Sequence, residues 1–140
     1  MVRSCWRADR LLPLPRHFHR EQRRLEQAGI VAWDQLAGLE DRALRDLGSG
    51  GGASERQLIK LRAQARLVCE VGLHPSEAAL LLYAGIADRR GLAQADPQRL
   101  WVQMGRLQRS LTGMAVPALE LSTLRQWIAA AQAGPGRSRN

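Results

Sequence analysis

Apolar residues return three or four positions apart along most of the chain, a spacing that lays them on one side of a helix. No stretch alternates long enough to suggest a strand. A first helix is predicted over residues 15–28, ended by Gly29, a residue suited to a left-handed cap. Short helices are expected over 33–37 and 41–47, followed by a flexible Gly48-Ser49-Gly50-Gly51-Gly52 loop. Ser54 with Gln57 reads as a capping box opening a long helix to Val71, with Leu58, Leu61, Ala65 and Val68 on its buried stripe. After Pro75 and Ser76 comes a helix over 77–84, apolar enough to be expected at the centre of the fold and ended by Gly85. Asp88 opens a short helix. Asp96-Pro97 then combines a cap with proline at the first helical position. That next helix places Leu100, Met104, Leu107 and Leu111 at core spacing, residues 112–117 form a connector, and a last helix carries Leu121, Leu124, Trp127 and Ile128. Trp33, Trp101 and Trp127 sit in apolar patterns and are expected in the core.

The second half repeats the first. Leu25-Glu26-Gln27-Ala28-Gly29-Ile30 aligns with Leu81-Leu82-Tyr83-Ala84-Gly85-Ile86, 56 positions later. At the same offset Leu36-Ala37 meets Leu92-Ala93, Glu40 meets Asp96, and Leu44 meets Leu100. Lys60-Leu61-Arg62 meets Thr123-Leu124-Arg125 once seven further residues enter the second copy. These residues resemble tandem helix-hairpin-helix proteins, and in particular a bacterial domain family of unknown function built from two such units. Gly72-Leu73-His74-Pro75-Ser76, Ala84-Gly85-Ile86, Leu92-Ala93, Asp96-Pro97 and the closing Trp127-Ile128 with Ala131 carry the likeness, which extends over residues 14–132. The resemblance implies an all-α fold of two helix-hairpin-helix-like repeats packed as one compact domain. The units are expected at 14–71 and 72–133, between a basic segment at 1–13 and a tail at 134–140.

In a helix-hairpin-helix, a glycine-hydrophobic-glycine turn lets backbone amides at the next helix's start face a phosphate, fixing position without reading base sequence. The chain departs from that pattern. Arg16, His17 and Phe18 occupy the first turn. In the second, Gly72 and Leu73 are kept, His74 replaces the second glycine, and Ser76 stands where a lysine commonly contacts phosphate. A side chain at a glycine position obstructs close backbone approach.

Charge redirects the search. The 140 residues hold 21 basic and 13 acidic side chains, a formal +8, and Lys60 is the sole lysine. Such a surplus favours anionic partners, nucleic acid first and acidic protein second. On the first helix Arg16, Arg20, Arg23 and Arg24 fall within about a quarter of the circumference, facing away from Phe18 and Leu25. Guanidiniums gathered in this way suit phosphate; the alternative is a solvated face relieved by Glu21 and Glu26. Arg56, Lys60, Arg62 and Arg66 read as a solvated face, while Arg99, Arg106 and Arg109 extend a basic surface.

Other chemistry is sparse. Cys5 and Cys69 make neither a disulfide framework nor a zinc site, and His17 and His19 point to different sides of a helix, so no metal and no cofactor are expected. No nucleophile–base–acid set, phosphate loop or carboxylate pair stands out, which predicts a non-enzymatic module. The longest apolar run is too short for a bilayer crossing of about 20 residues, and residues 1–7 lack the apolar core of an export signal. A cytoplasmic protein without membrane insertion is expected. The expected function is sequence-nonspecific nucleic-acid binding, DNA before RNA, through Arg16, Arg20, Arg23, Arg24, Gly72, His74 and Ser76. The alternative is a protein-interaction adaptor with degenerate turns; Trp6 is available to a partner in either case.

Overall fold

A computed structural model describes residues 14, 16–50, 52–112 and 120–133, with the side chains of 108–112 left aside. The described residues form α-helices and one 3-10 turn, with no strand. After the 3-10 turn Arg16–Phe18 come α1 (His19–Gln27), α2 (Trp33–Ala37), α3 (Asp41–Ser49), α4 (Glu55–Val71), α5 (Pro75–Tyr83), α6 (Arg89–Ala93), α7 (Pro97–Thr112) and α8 (Leu121–Ala133). The segments expected at 1–13, 113–117 and 134–140, with Cys5 and Trp6, lie outside the described residues.

The long helix α4, and not the apolar α5, is the centre of the fold. It packs against α2, α3, α5, α6 and α8 and buries Leu58, Leu61, Arg62, Ala65, Leu67 and Val68. Helix α5 buries only Ala78 and Leu81; Leu80 and Leu82 are half-buried, and Tyr83 is 58% exposed. Its sequence, apolar at every position from Ala78 to Tyr83, concealed which side faces inward. Trp33 and Trp127 are in the core, whereas Trp101 packs against its edge.

Three local readings are corrected. The first helix begins at His19, because Phe18 has a non-helical backbone (φ −105°, ψ 16°) and Gln22 Oε1 accepts from the Leu14 N–H at 2.8 Å. Arg16 therefore lies in the 3-10 turn. Helix α3 runs through Gly48 and Ser49, which the sequence assigned to a flexible loop. A Cβ on Gly48 would come within 3.1 Å of the Glu55 backbone nitrogen, so glycine there lets α3 and the start of α4 touch. Ser54 does cap α4, its Oγ accepting from the Gln57 N–H at 3.4 Å, but the Ser54 N–H donates to Glu21 Oε2 of α1 at 2.8 Å instead of to Gln57.

The α4 arginines are also misread from sequence. Arg62 is buried, donates to the Leu39 carbonyl at 3.1 Å and pairs with Asp41 at 2.7 Å. Arg66 donates to the carbonyls of Ala37 (3.1 Å) and Leu39 (3.3 Å). Both guanidiniums supply donors to carbonyls at the end of α2, which a helix C-terminus leaves without intrahelical partners.

Candidate nucleic-acid interface

Helix α1 sits at the periphery, and three contacts set its rotation. Leu25 is fully buried, Glu21 reaches the Ser54 amide, and Arg24 Nε donates to the Leu47 carbonyl at 3.1 Å. At about 100° per residue, burying Leu25 and Glu21 turns Arg20, Arg23, Arg24 and Gln27 together toward the other side, within an arc of about 100°. That side is concave. With His19, these residues face Gly50, Gly52 and Ala53 across a hollow of about 510 Å³. Beside it, Arg16, His19, Arg20 and Glu21 face Gly52, Ser54 and Gln57 across a second hollow of about 500 Å³. His19, Arg20 and Gly52 line both, so the two form a continuous basic groove between α1 and the α3–α4 connection.

The groove is basic, with one carboxylate, Glu21, in its lining. Glu21, expected to relieve the arginines, is 3% exposed and committed to the Ser54 amide. Arg16, Arg20 and Arg23 make no ion pair among the described residues. The start of α4, with the positive end of its helix dipole, borders the same space. Arg24 is different in kind: it lines the groove and also caps α3 through the Leu47 carbonyl. Among the described residues no group of His, Cys, Asp and Glu is arranged to hold a metal ion.

Gly72, His74 and Ser76 belong to another part of the molecule. They follow the C-terminal end of α4, about 25 Å along the axis from its start, and the chain then turns back beside α4, where Gln64 Nε2 donates to the Pro75 carbonyl at 2.8 Å. Gly72 adopts φ +88°, a left-handed cap whose N–H donates to the Val68 carbonyl at 3.1 Å. Its requirement is conformational, since nothing lies within 4 Å of where a Cβ would be. The α5 start then caps itself. His74 Nδ1 accepts from the Ser76 N–H at 3.2 Å and lies 2.8 Å from Ser76 Oγ, while Glu77 Oε1 accepts from the His74 N–H at 2.9 Å. A carboxylate of the chain's own thus already holds an amide at this turn.

Sequence spacing found the α1 arginines but missed the opposite wall of the groove. Gly50, Gly52 and Ala53 carry no chemistry of their own, and only the α3–α4 packing brings them opposite α1. His19 was read only against a metal, although it borders both hollows. Arg99 and Arg106 are exposed on α7, and the Arg109 side chain lies outside the described residues.

An all-helical domain with a basic groove flanking its first helix is the class that fold and site define. The chain belongs to the family described as Domain of unknown function (DUF4332), whose match covers residues 15–134. No curated protein and no solved structure matches it. Among the described residues, no helix is long and apolar enough to cross a membrane.

Proposed function

We propose that the protein is a non-enzymatic, sequence-nonspecific nucleic-acid-binding module that takes backbone phosphates, DNA before RNA, in the groove along α1. The observation that carries this reading is the row of Arg16, Arg20 and Arg23 on a concave surface without carboxylate partners among the described residues. Arg20 and Arg23 are held at a fixed spacing by α1, Arg16 stands in the 3-10 turn that leads into it, and guanidinium matches the planar geometry of phosphate.

We also infer two helix-hairpin-helix-like units, at 14–71 and 72–133. The bounds of α1 and α2 recur 56 positions later as those of α5 and α6. Buried Leu25, Leu36 and Leu44 recur as buried Leu81, Leu92 and Leu100. Ile30 donates to the Leu25 carbonyl and Ile86 to that of Leu81, both at 2.9 Å, around left-handed Gly29 and Gly85. The Ala37 carbonyl is held by Arg66 of α4, and that of Ala93 by Gln132 of α8.

Fluorescence anisotropy on labelled duplexes across a salt series tests the binding. Each phosphate contact contributes a log–log slope near −0.9 on duplex DNA, so a triple Arg16→Gln, Arg20→Gln, Arg23→Gln variant should flatten the slope by up to about 2.7. It should weaken unrelated sequences alike. Its melting temperature should stay close to the parent's, because none of the three has an ion pair among the described residues. Arg24 is left in place to keep its bond to α3. A parent slope near zero, or one unchanged in the variant, would refute the reading. The self-capped α5 turn favours the adaptor as the second reading, and a nuclease-resistant protein partner would support it.

A further inference from the structure

A third hollow, of about 470 Å³, opens between the 3-10 turn, α4 and α5. Its apolar walls are Phe18, Leu82 and Tyr83, and Lys60 stands with them. His17 and Gln57 border both this hollow and the basic groove, so the two surfaces meet. Tyr83 is the most exposed of the large hydrophobic side chains described. Gln57's carboxamide makes no hydrogen bond among the described residues, leaving a donor and an acceptor at the boundary.

A duplex has no use for such a surface, because its bases hide their faces in the stack. A single strand does. Its phosphates require a positive groove, and its unstacked bases require an aromatic or apolar platform within reach of it. We propose, resting on the phosphate reading above, that the ligand is single-stranded nucleic acid. The backbone follows Arg16, Arg20 and Arg23, and a base enters the adjoining hollow against Tyr83. The hollow's size lies within the range of roughly 300–1,000 Å³ usual for small-molecule sites. Lys60 and the arginine row give it the charge that a nucleotide complements. The platform accepts any base, since every base has a π face, and preference among bases is weak.

The test compares a labelled oligothymidylate of about 16 nucleotides with a duplex of the same length, by anisotropy in low-salt buffer. The parent should bind the strand several-fold more tightly than the duplex. Removing one base–aromatic stack weakens a strand by roughly 5- to 150-fold, so Tyr83→Ser should lose that much on the strand. Its duplex affinity should stay within about twofold, a stack being absent there. Tyr83→Phe keeps the ring and should bind the strand as the parent does. A circular-dichroism melt of both variants checks that the fold is kept. Duplex bound as tightly as strand, or a Tyr83→Ser loss equal on both or absent from both, overturns the strand proposal while leaving a salt-dependent arginine groove intact. A parent that binds neither nucleic acid overturns both, and a peptide bound in their place assigns the hollow to a protein.

Discussion

The Leu39 carbonyl is shared by two guanidiniums, and this makes a quantitative prediction. Arg62 donates to it at 3.1 Å and Arg66 at 3.3 Å, with Arg66 also holding Ala37 and Arg62 also paired with Asp41. Replacing either arginine by methionine preserves an apolar stem and removes the charged head. A hydrogen bond from a charged donor contributes about 1.5–3 kcal/mol, but in Arg62→Met the carbonyl keeps its other donor. The partner Asp41 is exposed, and solvent screening leaves its pairing little weight beside the hydrogen bonds. Each single variant should therefore cost about 1–2 kcal/mol. In the double variant the carbonyl loses both donors, which adds the penalty of an unsatisfied acceptor, about 1 kcal/mol or more. The double variant should exceed the sum of the singles by about that amount. Urea unfolding followed by tryptophan fluorescence and far-ultraviolet circular dichroism measures all four corners of the cycle, compared at constant m. Two singles that each cost under about 0.5 kcal/mol and simply add would refute the reasoning and return these arginines to a solvated face.

Three further outcomes are expected. Leu81→Ala should cost about 2–5 kcal/mol and melt well before Leu82→Ala, because Leu81 is fully buried and Leu82 only half-buried; equal losses would refute the observed rotation of α5. Gly72→Ala should cost about 1–2 kcal/mol in urea unfolding from its left-handed backbone alone, with the open space around it adding nothing, and a much larger loss would reveal a contact there. The Arg62 guanidinium, by hydrogen bond first and charge second, holds the Asp41 carboxyl below its ordinary 3.8. A folded-state value that is depressed stabilises the fold above the ordinary value and ceases to do so as pH falls through the folded one, so Asp41→Asn should show a shallower loss of stability on acidification below about pH 4 than the parent.

Periodicity gave the element order because helix ends are written locally. Gly29, Gly72 and Gly85 adopt the positive φ of a cap, and Ser54, Asp88 and Asp96 accept from the helices they precede. What periodicity could not give is the depth of each helix. In α5 every position from Ala78 to Tyr83 is apolar, so no polar face marks the outside. In α4, Arg62 and Arg66 look like a surface because their side chains carry charge, yet carbonyls supplied by a helix distant in sequence draw them inward. Glu21 was placed on the arginine face for the same reason, since its partner, the Ser54 amide, is 33 positions away and has no signature. The candidate site was half visible. The 3-10 turn and α1 carry its arginines, while its other wall depends on Gly48 letting α3 close against α4.

The two regions suggested by sequence differ in what an arriving phosphate would displace. At the start of α5 it would have to replace Glu77 on the His74 amide and His74 on the Ser76 amide, bonds of a kind whose loss costs a helix about 0.5–2 kcal/mol. The incoming charge would also meet the Glu77 carboxylate. Along α1 it would break no ion pair of Arg16, Arg20 or Arg23 and would relieve their mutual repulsion, with Glu21, held by the Ser54 amide, the one carboxylate in the lining. Gly72 lies at the far end of α4, about 25 Å along its axis from the start that borders the groove, so a strand seated along α1 need not reach it. Its proposed path leads instead past His17 and Gln57, which line both hollows, toward Tyr83. Substitutions at His74 or Ser76 should accordingly change the stability of α5 and leave binding unaltered, whereas His17 and Gln57 stand between the phosphate groove and the aromatic hollow, where a change alters binding and not the fold.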